Sequence, residues 1–290
     1  MYGLCVVNTR KGITENLPYS LSRWTDIPGS ANKWAWFLEQ LKQGWMTAFD
    51  QRTSIPARWS LKPEDTLGLI FWTKDPTNLF QEASRLKAYR TKVHVTVTGW
   101  EEVEKGAPTL DEGAALLRSA VKIFGAANVS WRFSPIPLVE DAAQRFERIA
   151  WAAEAAGLKS VYVSFLQTNE LLPETRSADV RRALLNEMAK MAAARRIRVD
   201  LCNEDRLLAG QTREKHWNLA SGVCAPPEDF SLSNRKVPPA EGCGCVMAVD
   251  PFTVNESCSF GCTYCYAADT SLYTKKRNTT KHLRVLQGSR

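Results

Sequence analysis

Short bursts of apolar, β-branched and aromatic residues recur along the first 200 positions, and longer stretches with helical spacing follow most of them. Six bursts read as strands, at 3–7, 67–72, 93–98, 129–133, 160–165 and 197–202. Between them, helices are predicted near 32–43, 78–89, 110–124, 141–156 and 178–194, several rich in Ala, Leu, Glu, Lys and Arg. Thr109-Leu-Asp-Glu112 has the spacing of a capping box opening the third helix. Repeated βα units of this kind imply a parallel sheet, and six without a break predict a partial (β/α)6 barrel of the TIM type. A doubly wound open sheet has the same local pattern. In either case chemistry belongs on the loops that leave the C-terminal ends of the strands.

The stretch from 226 to 290 breaks the pattern. It holds Pro238-Pro239, repeated Gly and five of the eight cysteines, so the expected organisation is an α/β barrel over 1–225 with a cysteine-organised segment over 226–290 packed on its mouth. The chain has 290 residues and is 44% hydrophobic, enough for a substantial core and too much for a disordered chain. Its longest apolar run, Leu67 to Trp72, is far short of a membrane span, and no basic start with a long apolar core opens the sequence. The expectation is a cytoplasmic protein without a membrane partner, whose cysteines are metal ligands or thiols rather than disulfides. A net charge of +7 permits an anionic partner such as a nucleotide or DNA without requiring one.

The sharpest motif is Cys258-Ser-Phe-Gly-Cys262-Thr-Tyr-Cys265. Three thiolates at spacings of three and two suit a zinc tetrahedron poorly, since zinc sites are commonly built from C-x2-C pairs. They suit a [4Fe–4S] cubane with three irons held and the fourth left open to a ligand. A structural zinc or a purely structural cluster is the bland alternative. Cys202, Cys224, Cys243 and Cys245 make a second set of four, the number a complete auxiliary [4Fe–4S] cluster needs; a structural zinc or unrelated buried thiols are the alternatives. Cys5 lies in an apolar run and reads as core.

The triplet followed by Tyr266-Ala267 resembles the motif of radical S-adenosylmethionine (SAM) enzymes, in which the aromatic residue at Tyr264 packs on the adenine. Further segments, Arg23-Trp-Thr-Asp-Ile-Pro28, Phe71-Trp-Thr-Lys-Asp-Pro76, Thr96-Val-Thr-Gly99, Trp131-Arg-Phe-Ser-Pro-Ile136 and Gly242-Cys-Gly-Cys245, resemble a bacterial and phage domain-of-unknown-function family with such a cluster at its C-terminus. Most radical SAM proteins carry the triplet after the first strand, so this resemblance implies a circularly permuted barrel. Members of that family have Arg-Arg before Thr-Asp, where this chain has Arg23-Trp24. The middle of the chain is also similar, more weakly, to the spore photoproduct lyase branch, which implies that Lys74 lies beside the carboxylate of SAM; a solvated surface lysine is the alternative.

With a barrel, Thr98 and Arg132 point into the same mouth and join Tyr264 and Lys74 as expected cofactor-binding residues. Arg23 and Asp26, with Thr25, are the candidate substrate-gripping groups, against the alternative that Asp26 only caps a turn before the first helix. Glu204 is open between the same two roles. Ten tryptophans can furnish both core and a stacking pocket, and His94, His216 and His282 show no ligand pairing. The expected activity is reductive cleavage of SAM to a 5′-deoxyadenosyl radical that takes hydrogen from a nucleoside or from thymidine in DNA, served by a flavodoxin or ferredoxin. The alternative is a non-catalytic iron–sulfur or zinc protein that binds nucleic acid.

Overall fold

The computed structural model describes residues 13–14, 17–22, 25–49, 56–137, 141–166, 177–208, 218–232, 244–246, 248–249 and 258–265. The chain forms two sheets. A small one joins β1 (Ile13–Thr14), β3 (Trp45–Phe49) and β4 (Pro56–Ser60), with β3 antiparallel to β4. The large one has seven parallel strands: β2 (Leu17–Ser20), β5 (Thr66–Thr73), β6 (Thr91–Thr96), β7 (Val129–Ile136), β8 (Ser160–Phe165), β9 (Arg198–Leu201) and β10 (Leu219–Ser221). Their order is β10-β9-β8-β7-β6-β5-β2. Helices α1 (Ala31–Gln43), α4 (Leu110–Phe124), α5 (Ala142–Ala155) and α6 (Ala178–Ala193) fall where their periodicity puts them. The capping box is present: Glu112 N–H donates to Thr109 Oγ1 at 3.3 Å, and Thr109 N–H to Glu112 Oε2 at 2.8 Å.

Three features add to or differ from the expected pattern. The strand expected at 3–7 lies outside the described residues, and the sheet's first strand is β2, whose Leu-Pro-Tyr-Ser gives little alternation. Pro18 is tolerated because β2 is an edge whose outer side, among the described residues, meets only Val249: Ser20 N–H donates to Val249 O at 2.8 Å and Val249 N–H to Pro18 O at 3.0 Å. The single helix expected over 78–89 is two, α2 (Thr77–Gln81) and α3 (Ala83–Leu86). The chain turns at Glu82, whose N–H donates to Leu79 O while its carbonyl accepts from Arg85 and Leu86. Third, Phe230, Leu232 and Val246 pack with Ile70 on the face of the sheet opposite α1, here called the inner face.

That inner face explains the sheet's chemistry. On β5, Phe71 faces α1, with its ring 6.1 Å from Trp34 and 6.0 Å from Phe37, while Ile70 faces the other way. On β7, Trp131 and Phe133 pack on Phe146 of α5 at ring distances of 5.1 and 5.4 Å, so the intervening Arg132 points to the opposite face. A parallel sheet buried on both sides is expected to be apolar on both. Here the inner side carries His94, Arg132, Tyr162 and Asp200, a departure of the kind that marks a site rather than a core.

Candidate functional site

The cysteine loop at 258–265 docks on the C-terminal ends of β2, β5 and β6. Two backbone bonds hold it to the loop that follows β6: Gly106 N–H donates to Phe260 O at 2.9 Å, and Thr263 N–H to Val103 O at 2.9 Å. On its other side Ser259 Oγ donates to Gly29 O at 3.3 Å. The seat tolerates no side chain at Gly106, where a Cβ would lie 2.7 Å from the Ser259 carbonyl oxygen and 2.9 Å from Phe260 Cα.

Beside this loop lies a buried polar knot centred on Glu104. Its Oε2 pairs with Lys74 Nζ at 2.8 Å and accepts from Thr98 Oγ1 at 2.8 Å, and its Oε1 accepts from the Tyr264 hydroxyl. Burial, then the Glu104 charge, raises the Tyr264 pKa, so the phenol stays protonated and donates. Lys74 makes this ion pair and no further hydrogen bond among the described residues, which leaves ammonium donors to spare. The expected trio Lys74, Thr98 and Tyr264 is therefore brought together, by a residue the sequence reading missed. The signal was the acidic run Glu101-Glu-Val-Glu104 two residues past the polar strand end Thr98-Gly99.

Asp26 is the hinge between loop and sheet. Its Oδ2 accepts from Lys74 N–H at 2.7 Å and its Oδ1 from Gly29 N–H at 2.9 Å, while burial pushes its pKa up to about 6. Thr25 Oγ1 accepts from Lys33 Nζ at 2.6 Å. Asp26 thus ties the turn to Lys74 and Thr25 ties it to α1, and Arg23 lies outside the described residues. Glu204, fully buried, accepts from Phe165 N–H at 3.3 Å and lies 3.6 Å from Arg181 Nη1, which joins the ends of β8 and β9 to α6.

Two of the loop thiols, Cys258 and Cys262, resist ionisation. Burial pushes Cys262 up to about 11, aided by Glu104, Cys265 and Cys258 and opposed by Lys74; burial likewise raises Cys258. Thiols crowded by one another and by a carboxylate ionise readily only when a cationic group compensates them, and that is the donor chemistry of a thiolate-held metal cluster.

A second thiol group lies on the inner face. Cys224 Sγ is 3.4 Å from Cys245 Sγ, Ala225 N–H donates to Cys245 Sγ at 3.4 Å, and Arg132 Nη2 approaches Cys202 Sγ at 4.0 Å. Arg132 thus faces these sulfurs, in place of the expected role beside Lys74 and Thr98. Cys243 and Cys5 lie outside the described residues. Among the described residues, no three His, Cys, Asp or Glu side chains already converge as one metal ion requires.

The sequence profile of the family described as domain of unknown function DUF1848 matches residues 19–267, nearly the whole chain. The chain belongs to the DUF1848 family. No curated protein matches this DUF1848 chain. Among solved structures it is similar to a xylose isomerase domain protein from Planctomyces limnophilus, at 14% identity and a TM-score of 0.30. That alignment covers 52% of the DUF1848 chain and 57% of the other protein's length. No described helix is long and apolar enough to cross a membrane.

Proposed function

We propose that this protein is a radical SAM enzyme in which Cys258, Cys262 and Cys265 hold a [4Fe–4S] cluster. The observation that carries the reading is a C-x3-C-x2-C loop seated at the C-terminal ends of β2, β5 and β6, against the buried knot of Lys74, Thr98, Glu104 and Tyr264. The chemistry such a group supplies when bound is one-electron reduction of SAM, which breaks the S–C5′ bond to give methionine and a 5′-deoxyadenosyl radical.

The chain's own residues account for binding and shielding. Lys74 has ammonium donors for the carboxylate of SAM, and Glu104 fixes the lysine so that little side-chain entropy remains to be lost. Tyr264, held by its hydroxyl, offers a ring of fixed orientation to an adenine. Thr98 and Glu104 are 1% and 3% exposed, so this wall of the site excludes water from a reactive radical. We read the sheet as the wall of a barrel. Two contacts support that reading: Val249 bonds the free edge of β2, and Val246 N–H donates to Ala225 O, just beyond β10, at 2.7 Å.

The substrate class carried forward is a nucleoside or DNA base, in keeping with the net charge of +7, with a flavodoxin or ferredoxin as electron donor. The test is anaerobic reconstitution with iron and sulfide followed by dithionite and SAM. Formation of 5′-deoxyadenosine is the expected result, and mass spectrometry of nucleosides from added DNA then reads the substrate. A reconstituted protein that leaves SAM intact would be a non-catalytic metal protein, and the reading would fall.

A further inference from the structure

Arg132 poses a problem that the proposed activity does not use. Its guanidinium is turned to the inner face of the sheet, with Nη1 enclosed and without a hydrogen-bond partner among the described residues. A buried guanidinium needs an anion. The groups facing it are sulfurs, Cys202 and Cys224, and no ion pair links it to a carboxylate among the described residues. Nearby, His94 is 1% exposed, stacked on Trp72 at 5.2 Å, and has no hydrogen-bond partner on either nitrogen among the described residues.

Neutral thiols do not balance a cation, and three ionised thiols in contact repel one another. We infer that Cys202, Cys224 and Cys245 form a second metal–thiolate site, separate from the 258–265 loop, in which Arg132 neutralises the excess negative charge. Three thiolates, a core of charge +2 and one guanidinium sum to zero, and both Zn²⁺ and an oxidised [4Fe–4S] core carry that +2. Spacing agrees. Two sulfurs at about 2.3 Å from one tetrahedral ion lie roughly 3.8 Å apart, and Cys224 and Cys245 are already 3.4 Å apart. The sulfurs come from the end of β9, from beyond β10 and from the segment that returns across the inner face, so a metal there would tie three distant parts of the chain together. Arg132 is a positioning residue in this arrangement and not a ligand.

The inference does not depend on the radical SAM reading, and its test removes the triplet. A full-length Cys258→Ala, Cys262→Ala, Cys265→Ala variant is purified anaerobically. One portion is titrated with Co²⁺, whose sulfur charge-transfer absorption reports thiolate ligation, and another is reconstituted with iron and sulfide. One cobalt per chain with those bands points to a zinc-type site, and retained iron and sulfide to a cluster; either supports the inference. Adding Cys224→Ser should abolish the signal, and Arg132→Gln should weaken affinity by about 10–100-fold, as loss of an outer-sphere partner does. Arg132→Lys should recover most of it. A purely structural Arg132 would alter thermal stability and leave metal affinity unchanged. Absence of both metals, or a signal that survives replacement of Cys202, Cys224 and Cys245 by Ser, overturns it, whatever SAM does with the wild-type chain.

Discussion

The two thiol groups are built by opposite means. The loop at 258–265 carries its three cysteines within eight residues and is seated by backbone hydrogen bonds to Gly106 and Val103. The inner group gathers Cys202, Cys224 and Cys245 from separate elements, and a side chain of β7, Arg132, faces them. A local loop can be unseated without unfolding the sheet, whereas the inner group belongs to the packing of the sheet itself. Loss of the first should therefore cost chemistry, and loss of the second should cost both cohesion and metal.

The largest expected effect sits on the loop. Replacing Cys258, Cys262 and Cys265 by Ala should reduce 5′-deoxyadenosine formation to background while circular dichroism and the unfolding midpoint stay close to wild type. A variant that still cleaves SAM would end the assignment of the triplet. One that unfolds would show that the loop, like the inner group, is part of the scaffold, and the contrast would fail.

Next is Glu104→Gln, which keeps the size of the side chain and removes the charge that Lys74 pairs with. Breaking a buried pair on one side costs roughly 3 kcal/mol, partly relieved here because the single amide oxygen can still accept from either Thr98 or Tyr264, though not from both. The unfolding free energy in denaturant should fall by that order, and SAM affinity should weaken because Lys74 and Tyr264 lose their common anchor. Unchanged SAM binding would place the knot outside the cofactor's reach.

Gly106→Ala separates seating from ligation. The added methyl meets backbone atoms of Ser259 and Phe260, which cannot rotate away, so the loop must shift. Overpacking of this kind costs about 1–3 kcal/mol, and here it falls on the loop alone. Retention of iron at the triplet should drop, while cobalt binding by the inner sulfurs stays as in the parent. Equal loss at both would mean that the two sites are one cooperative unit.

These differences also mark what could be read from the residues in order. The central strands β5 to β9 carry dense β-branched and aromatic runs, and the sequence located them to within a few positions because both faces are buried. The edge strands β2 and β10 have four and three residues and little period, so only pairing defines them. The triplet was visible as spacing. The inner set was visible only as a count of four, and Arg132 was assigned to the mouth because its neighbours Trp131 and Phe133 say nothing about which face it takes until α5 is in place. Glu104 was missed because a lone buried carboxylate in a loop has no period, and its role exists only once Lys74, Thr98 and Tyr264 converge on it.

The smallest effect at neutral pH, and the one that reads the inner face most directly, concerns His94. Burial is the main cause that lowers its pKa from the ordinary 6.5 to about 4, with Arg132 and Lys92 acting in the same direction and Cys224 against it. Between these values the unfolded chain binds a proton that the folded chain refuses. The contribution of neutral His94 to stability is therefore complete above pH 6.5 and is lost as pH falls toward 4, by on the order of 3 kcal/mol. His94→Phe keeps an aromatic ring against Trp72 and removes the titration. At pH 7 its unfolding free energy in the metal-free protein should lie within about 1 kcal/mol of wild type. At pH 4.5 the variant should be the more stable of the two, and the slope of stability against pH should be shallower by up to one proton. Parallel slopes would mean that His94 reaches solvent or a proton partner in the folded state, and the inner face would then be a wet channel rather than the enclosed pocket that a metal–thiolate site with a buried arginine requires.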